Sequence, residues 1–313
     1  MKRIAPIFCC FLLWQPAAAQ DVRVYPLGPG AQPRDVAVES GGAVWYAGAG
    51  AVGRLDPADG AIRRIALPPG AQPSAITVAA DGAPWVADAG RELILRIDPA
   101  TAEIKPYTLP KFHSHAELNT VAIAADGAIW FTGLSGIYGR IVPATGKAEW
   151  YDTPRGRGPV ASAAARDAAI YFAAAPANYV ARIDPRGLGG WLLSFVGPPL
   201  PAGGVVALAL GADDAAWIAQ PDAGAVSRFG GGWRSWKLPG PARPMAVHVE
   251  RGAVWLFDQA ANAMVRFDPA RETFMAYPLP PPAAAINHLV GLTGAVWAAD
   301  SRNDRLIAVV RGR

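Results

Sequence analysis

Seven aromatic residues, Trp45, Trp85, Trp130, Tyr171, Trp217, Trp255 and Trp297, cut the chain into units of 38 to 46 residues. Each closes the same short phrase. Asp81-Gly82-Ala83-Pro84-Trp85 and Asp126-Gly127-Ala128-Ile129-Trp130 are full copies. Gly42-Ala43-Val44-Trp45, Gly252-Ala253-Val254-Trp255 and Gly294-Ala295-Val296-Trp297 keep the glycine and the tryptophan. Asp213-Asp214-Ala215-Ala216-Trp217 has lost the glycine, and Asp167-Ala168-Ala169-Ile170-Tyr171 has lost both. One aromatic per unit at this period predicts a repeat architecture, and the blades of a β-propeller above the others.

Every unit has one grammar. A short alternating apolar strand such as Ala75-Ile76-Thr77-Val78 comes first. Asp-Gly then supplies the positive φ that a tight hairpin needs. A second strand carries the tryptophan, and a third ends in arginine plus an apolar residue, as in Arg54-Leu55, Arg96-Ile97 and Arg182-Ile183. Asp56-Pro57, Asp98-Pro99 and Asp184-Pro185 follow at once, where proline stops the ladder. A fourth strand runs out near Leu67-Pro68, Leu109-Pro110, Leu238-Pro239 or Leu279-Pro280. Four strands per unit and no helical periodicity predict an all-β, seven-bladed propeller with four-stranded blades.

The seventh unit has only three strands before the chain stops. Val22-Arg23-Val24-Tyr25-Pro26-Leu27 reads like the fourth strand Phe274-Met275-Ala276-Tyr277-Pro278-Leu279. The N-terminal strand is therefore expected to complete the last blade and close the ring, which removes two open sheet edges.

Residues 1–19 stand outside this pattern. Lys2 and Arg3, the apolar run from Ile7 to Trp14 and the small residues Ala17-Ala18-Ala19 read as a secretory signal peptide, leaving one propeller domain over 20–313. A periplasmic or secreted location is expected. Both cysteines, Cys9 and Cys10, fall in that leader, so the expected mature chain has no disulfide. The formal charge is +4, or +2 without Lys2 and Arg3, too balanced to argue for nucleic acid. No other stretch is long and apolar enough for a transmembrane helix. A monomer with a small molecule or peptide in the central channel is expected.

The repeated residues have structural work. The tryptophans should pack neighbouring sheets, the arginines should hydrogen-bond turn carbonyls, and the Asp-Gly pairs should be turns. Function belongs where one unit departs from the rest. His113-Ser114-His115-Ala116-Glu117-Leu118-Asn119-Thr120 precedes the first strand of blade three and holds two of the four histidines. In extended backbone His113, His115, Glu117 and Asn119 would share one face at the channel mouth. The histidines would act as base or ligand and the carboxylate as ligand or orienter, unless these side chains only cap the loop. Tyr138, Arg155 and Arg157 lie near the same channel mouth, where the arginines suit an acidic group. His248 and His288 fall in first strands and read as packed or hydrogen-bonded strand histidines.

The phrase Pro-x-x-φ-Ala-Val-x-x-Asp-Gly-Ala-φ-Trp, followed by Arg-φ-Asp-Pro-Ala-Thr, resembles the repeat of the streptogramin B lyases (virginiamycin B lyase) and their exported relatives, over about residues 22–310. The resemblance implies a seven-bladed propeller that opens a cyclic depsipeptide by elimination at its ester, with a histidine base and a magnesium ion held by glutamates. At the position of the family histidine this chain has Pro244 and Ile286 in the late blades and Arg34, Ser74 and Asn119 in the early ones. His288 lies two residues beyond that position. Where the family has glutamate, three residues after the tryptophan, it has Asp88, Gln220, Asp258 and Asp300. On this resemblance Asp88 and Asp300, with Glu117, are the expected magnesium ligands, and Arg34 and Asn119 the expected substrate contacts.

Two functions of different class follow. One is a metal-assisted lyase acting at an ester or similar bond, with His113, His115 and Glu117 as its catalytic groups. The other is a non-catalytic propeller that binds a peptide, glycan or protein partner.

Overall fold

The computed structural model describes residues 15–16, 22–156, 158–175, 177–185, 191–196, 204–292 and 294–310. Its strands form seven sheets, one per unit. Blade one starts with Asp35–Val38 as its innermost strand and continues through Val44–Gly48, Ala51–Leu55 and Ile62–Ala66. The innermost strands of blades two to seven are Pro73–Val78, Leu118–Ile123, Pro159–Ala164, Ala207–Leu210, Pro244–Glu250 and Leu289–Leu292. Each is followed outward by antiparallel neighbours in chain order. A short Gln15–Pro16 segment lies parallel to Met275–Ala276 on the outer strand of blade six, so that sheet counts five strands.

Closure follows the expected route. Val22–Pro26 runs antiparallel to Arg305–Val310, from Val22 opposite Val309 to Pro26 opposite Arg305. Tyr25 sets its ring 5.2 Å from Trp297, as Tyr107 and Tyr277 do against the tryptophans of blades two and six.

Why the aromatics recur is visible in the packing. Seven apolar clusters occupy the seven seams between blades, and each contains the aromatic of the preceding blade. Trp45 packs with Ile76 and Val86 of blade two, Trp85 with Val121 and Phe131 of blade three. Trp130, Tyr171, Trp217 and Trp255 continue the series. Trp297 completes it against Val36 and Tyr46 of blade one. A large ring bridging two sheets carries more burial per side chain than any aliphatic residue.

The hairpin turn holds even where its glycine is gone. Gly82 and Gly127 have φ of +83° and +81°, and Ala168 and Asp214 adopt +66° and +56° at the equivalent positions. Asp81 accepts the N–H of Ala83 at 3.0 Å and Asp126 that of Ala128 at 3.0 Å, which holds the turn from outside the backbone. The third-strand arginine corrects one expectation. In blades two, four and five it donates to this turn carboxylate, Arg96 to Asp81 at 2.7 Å, Arg182 to Asp167 and Arg228 to Asp213, while Arg54 donates to Glu39 and Arg140 to Glu149 at 2.8 Å. Burial pulls the carboxyls of Asp81 and Asp213 up, but the arginine and the backbone N–H outweigh it and hold them below the usual value.

Candidate functional site

The innermost strands surround a central cavity of about 800 Å³. Its lining is uneven. Blades seven and one to three contribute Asn287, His288, Ser301, Gln32, Arg34, Asp35, Ser74, Thr77, Asn119 and Thr120. Blade four adds Ser162 among apolar residues, and blades five and six add only Ala207, Leu208 and Val247. The polar side chains gather on blades seven and one to four, among apolar neighbours such as Val36, Ile76, Val121 and Val290.

Register explains these polar positions. Ala37, Thr77, Ala122 and Val290 each pair with the tryptophan of their blade. Three residues earlier, where the chain turns into the innermost strand, stand Arg34, Ser74, Asn119 and Asn287, and all four line the cavity. Asn119 donates from Nδ2 to the carbonyls of Val160 at 3.2 Å and Pro159 at 3.4 Å. Thr120, Thr132 and Ser162 form a hydroxyl chain at 2.7 and 2.8 Å.

The chemical centre of the wall is a pair that spans the ring closure. His288 Nδ1 lies 2.6 Å from Asp35 Oδ1. The carboxylate also accepts the N–H of Val36 on Oδ1 and that of Ile76 on Oδ2, both at 2.8 Å. With both oxygens accepting, Nδ1 carries the hydrogen and Nε2 is the nitrogen left for a proton transfer. The His288 side chain keeps 49 % of its surface, while that of Asp35 keeps 12 %. Burial disfavours the imidazolium, but the charge and hydrogen bond of Asp35 outweigh it and raise the pKa above the ordinary 6.5. His288 is hydrogen-bonded, as expected, but its placement within the strand is corrected. It precedes its strand and opens into the channel mouth. His248, in the innermost strand of blade six, sits 3.8 Å from Glu250.

The stretch before blade three is placed differently from expectation. Glu117 has φ +52°, so the extended alternation from 113 to 119 is broken, and of the four residues only Asn119 lines the cavity. His113 sets its ring edge-on to Trp150 of the outer strand Lys147–Asp152, at 5.0 Å. His115 is exposed, with Nδ1 accepting the N–H of Glu117 at 3.2 Å and lying 3.6 Å from Glu92. The backbone N–H of Ala116 is held by the Glu92 carboxylate, and its carbonyl by Ser135 Oγ at 2.8 Å. Gly133 lets that carbonyl come close, since a Cβ there would meet it at 2.1 Å. Phe112, Ala116 and Leu118 are buried between blades two and three, so this stretch is packed across a seam.

Other candidates are dispersed as well. Tyr138 is buried between blades three and four, stacked on Tyr151 and Phe172. Burial first, then Tyr151 and Tyr179, push its phenol up. Arg155 lies over the rings of Phe195, at 4.2 Å, and Tyr179, at 5.6 Å. Arg157 lies outside the described residues.

Asp88, Asp300 and Glu117, the expected magnesium ligands, are not grouped around a common point among the described residues. Asp88 is fully buried and accepts on Oδ1 the N–H groups of Gln72 at 2.7 Å, Gly90 at 3.1 Å and Arg91 at 3.3 Å, while its Oδ2 has no hydrogen-bond partner among the described residues. Asp258 does the same for Arg243 and Ala260. Asp300 is taken by Ala285 N–H at 2.9 Å, Asn303 Nδ2 at 2.7 Å and Arg305 Nε at 2.7 Å. Each carboxylate serves its own blade's loop. Among the described residues no three His, Cys, Asp or Glu side chains are grouped to hold a metal. No helix among them is long and apolar enough to cross a membrane.

A family model described as the virginiamycin B lyase family matches residues 17–309. Virginiamycin B lyase from Staphylococcus aureus is 25% identical in sequence, covering 92% of this chain and 98% of that one, with a TM-score of 0.81. A catalytically inactive histidine-to-alanine variant of the Staphylococcus aureus lyase, with quinupristin, is likewise 25% identical over 92% and 98% of the two chains, at 0.80. YCF48 bound to a D1 peptide shares the fold at 10% identity, 96% and 100% coverage and a TM-score of 0.77. No curated protein sequence matches the chain.

Proposed function

The chain belongs to the virginiamycin B lyase family, and we propose that it is a lyase whose base is His288, held by Asp35 at the mouth of the channel. The observation that carries this is the 2.6 Å contact between the two at the edge of a cavity large enough for a small cyclic substrate. Asp35 fixes the tautomer by taking the Nδ1 hydrogen. Nε2 then removes a proton from the carbon beside a carbonyl. That C–H pair becomes the new C=C bond, and the C–O bond breaks with its electrons on the departing carboxylate. The imidazolium so formed offsets the enolate charge and later returns the proton to the leaving oxygen. Water and redox partners are not consumed. No step is assigned to magnesium, because Asp88, Asp300 and Glu117 are not gathered, among the described residues, into a group of three that could hold an ion. The basic, apolar and small-residue order of residues 1–19 supports export to the periplasm or beyond.

The test is turnover of a quinupristin-type depsipeptide and a panel of lactones and simple esters by the wild type, His288→Gln and Asp35→Asn. Loss of general-base catalysis should lower kcat by about 10²–10⁴-fold in His288→Gln. Equal turnover by that variant, at equal folded fraction, would remove His288 from the reaction.

The second reading is a propeller that binds a peptide, glycan or protein partner without chemistry. The observation that favours it is the use of the family's acidic positions for loop capping. Saturable binding in the channel with no turnover of any ester would select it.

A further inference from the structure

Among the described residues the cavity wall carries one carboxylate, Asp35, one cation, Arg34, and His288. A hard divalent cation is held by several oxygen ligands, carboxylates foremost. Asp35 already accepts His288 and the N–H of Val36 on Oδ1 and the N–H of Ile76 on Oδ2, and no second carboxylate lines the cavity beside it. Asp88, Asp300 and Glu117 are not among the lining residues. What the wall offers instead is a guanidinium. Arg34 is exposed, its backbone N–H donates to Ala47 at 2.7 Å, and its side chain has no hydrogen bond or ion pair among the described residues. It precedes Asp35 in the chain and lines the same cavity as His288. Successive Cα atoms lie about 3.8 Å apart, so a substrate that touches His288 lies within reach of a side chain as long as arginine. At the same register blades two, three and seven have the neutral Ser74, Asn119 and Asn287. A divalent cation in this place would face Arg34 and, once the proton has moved, an imidazolium as well.

We propose that elimination at this site runs without a divalent cation and that Arg34 is the electrophilic catalytic residue in its place. This rests on the lyase reading, since His288 is the base that Arg34 assists. As Nε2 takes the proton, the C–H electron pair moves toward the neighbouring carbonyl and charge collects on its oxygen. Arg34 donates N–H bonds to that oxygen and holds the charge there. The carbonyl then re-forms, the pair becomes the C=C bond, and the C–O bond breaks with its electrons on the departing carboxylate. The guanidinium stays protonated throughout, so it supplies charge and donors but no proton. Its planar fork and weak hydration suit a developing oxyanion, and donors already in place for such a charge act most strongly in the transition state.

The experiment follows turnover of the depsipeptide, lactone and ester panel by the full chain, with and without EDTA, and by Arg34→Met, Arg34→Lys and Arg34→Ala. Arg34 is exposed, so these substitutions do not threaten the fold, and circular dichroism checks this. EDTA should leave wild-type turnover unchanged, and added magnesium or manganese(II) should not raise it. Arg34→Met should lower kcat by about 10²–10³-fold, the loss expected when a donor to a developing oxyanion is removed, with KM changed far less. Arg34→Lys should keep part of the rate, since it retains the charge without the fork. Guanidinium chloride, well below denaturing concentration, should restore part of the turnover of Arg34→Ala. Loss of turnover in EDTA that magnesium restores overturns the proposal. So does an Arg34→Met variant with the kcat of the wild type, including one in which KM alone rises, which would make Arg34 a binding contact. Each of these outcomes leaves His288 as the base. No turnover by the wild type, in EDTA or in magnesium, removes the lyase reading and the proposal with it.

Discussion

His288 Nδ1 and Asp35 Oδ1 meet at 2.6 Å although 253 positions separate them in the chain. The contact joins the last blade to the first at the channel, while Val22–Pro26 joins them at the rim. One hydrogen bond thus serves ring closure and the candidate base together, and the two roles respond differently to pH and to substitution.

The fold favours the protonated imidazole, since its pKa is raised above 6.5. Its electrostatic contribution to stability is therefore complete below about pH 6.5 and fades as the pH rises through the folded-state value. Urea unfolding of wild type and His288→Gln should differ most near pH 5.5 and least at alkaline pH. For a side chain half open to water the gap should be about 0.2–1 kcal/mol. A difference that grows with pH would contradict the ion pair. Turnover should move the opposite way and rise with pH, because only the neutral ring accepts a proton.

Asp300 and Asp81 test which carboxylates the fold depends on. Asp300 is fully buried and ion-paired with Arg305, which is itself buried. Removing it as Asp300→Ala strands that arginine, at a cost of about 3–5 kcal/mol. The Asp81 side chain is 56 % exposed beside Arg96, and Asp81→Ala should cost about 1 kcal/mol or less. Denaturant midpoints of the two variants decide it, and equal losses would refute the assignment of Asp300 to its own loop.

Periodicity made the architecture readable before any coordinates. Blade number, strand number, the closing strand and the packing of Trp45 to Trp297 all repeat, so each copy supports the others. The candidate site repeats nowhere. Asp35 falls where blades two and three have Ala75 and Thr120, and nothing in that comparison marks it as half of a pair with His288. Contacts across the ring closure join the two ends of the sequence, and local spacing carries no record of them. The cluster at His113 to Asn119 failed as a shared face for a local reason, the left-handed turn at Glu117.

Deleting residues 20–28 removes the strand paired with Arg305–Val310 and bares the edge of blade seven. It also takes away Tyr25, which covers Trp297. Each kcal/mol lost lowers the melting temperature of a domain near this size by roughly 2–4 °C. Loss of this strand's ladder should therefore lower it by about 10 °C or more, measured by circular dichroism, with aggregation above the transition. An unchanged melting curve would mean that the rim contact is dispensable.

The final prediction separates a catalytic loop from a packed one. If His113 and His115 acted on substrate, their removal would cut turnover. Their positions say otherwise, since His113 leans on Trp150 of an outer strand and His115 is exposed beside Glu92. His113→Ala and His115→Ala should leave kcat and ligand affinity within about twofold, the range expected of surface substitutions within about 0.5 kcal/mol. Glu92→Ala should behave differently, because it takes the acceptor from the Ala116 N–H in the seam between blades two and three. A charge-assisted bond of this kind contributes about 1.5–3 kcal/mol. The variant should therefore unfold at a lower denaturant concentration with its chemistry intact. A hundredfold loss of turnover in His115→Ala, with Glu92→Ala as stable as wild type, would return the active site to this loop.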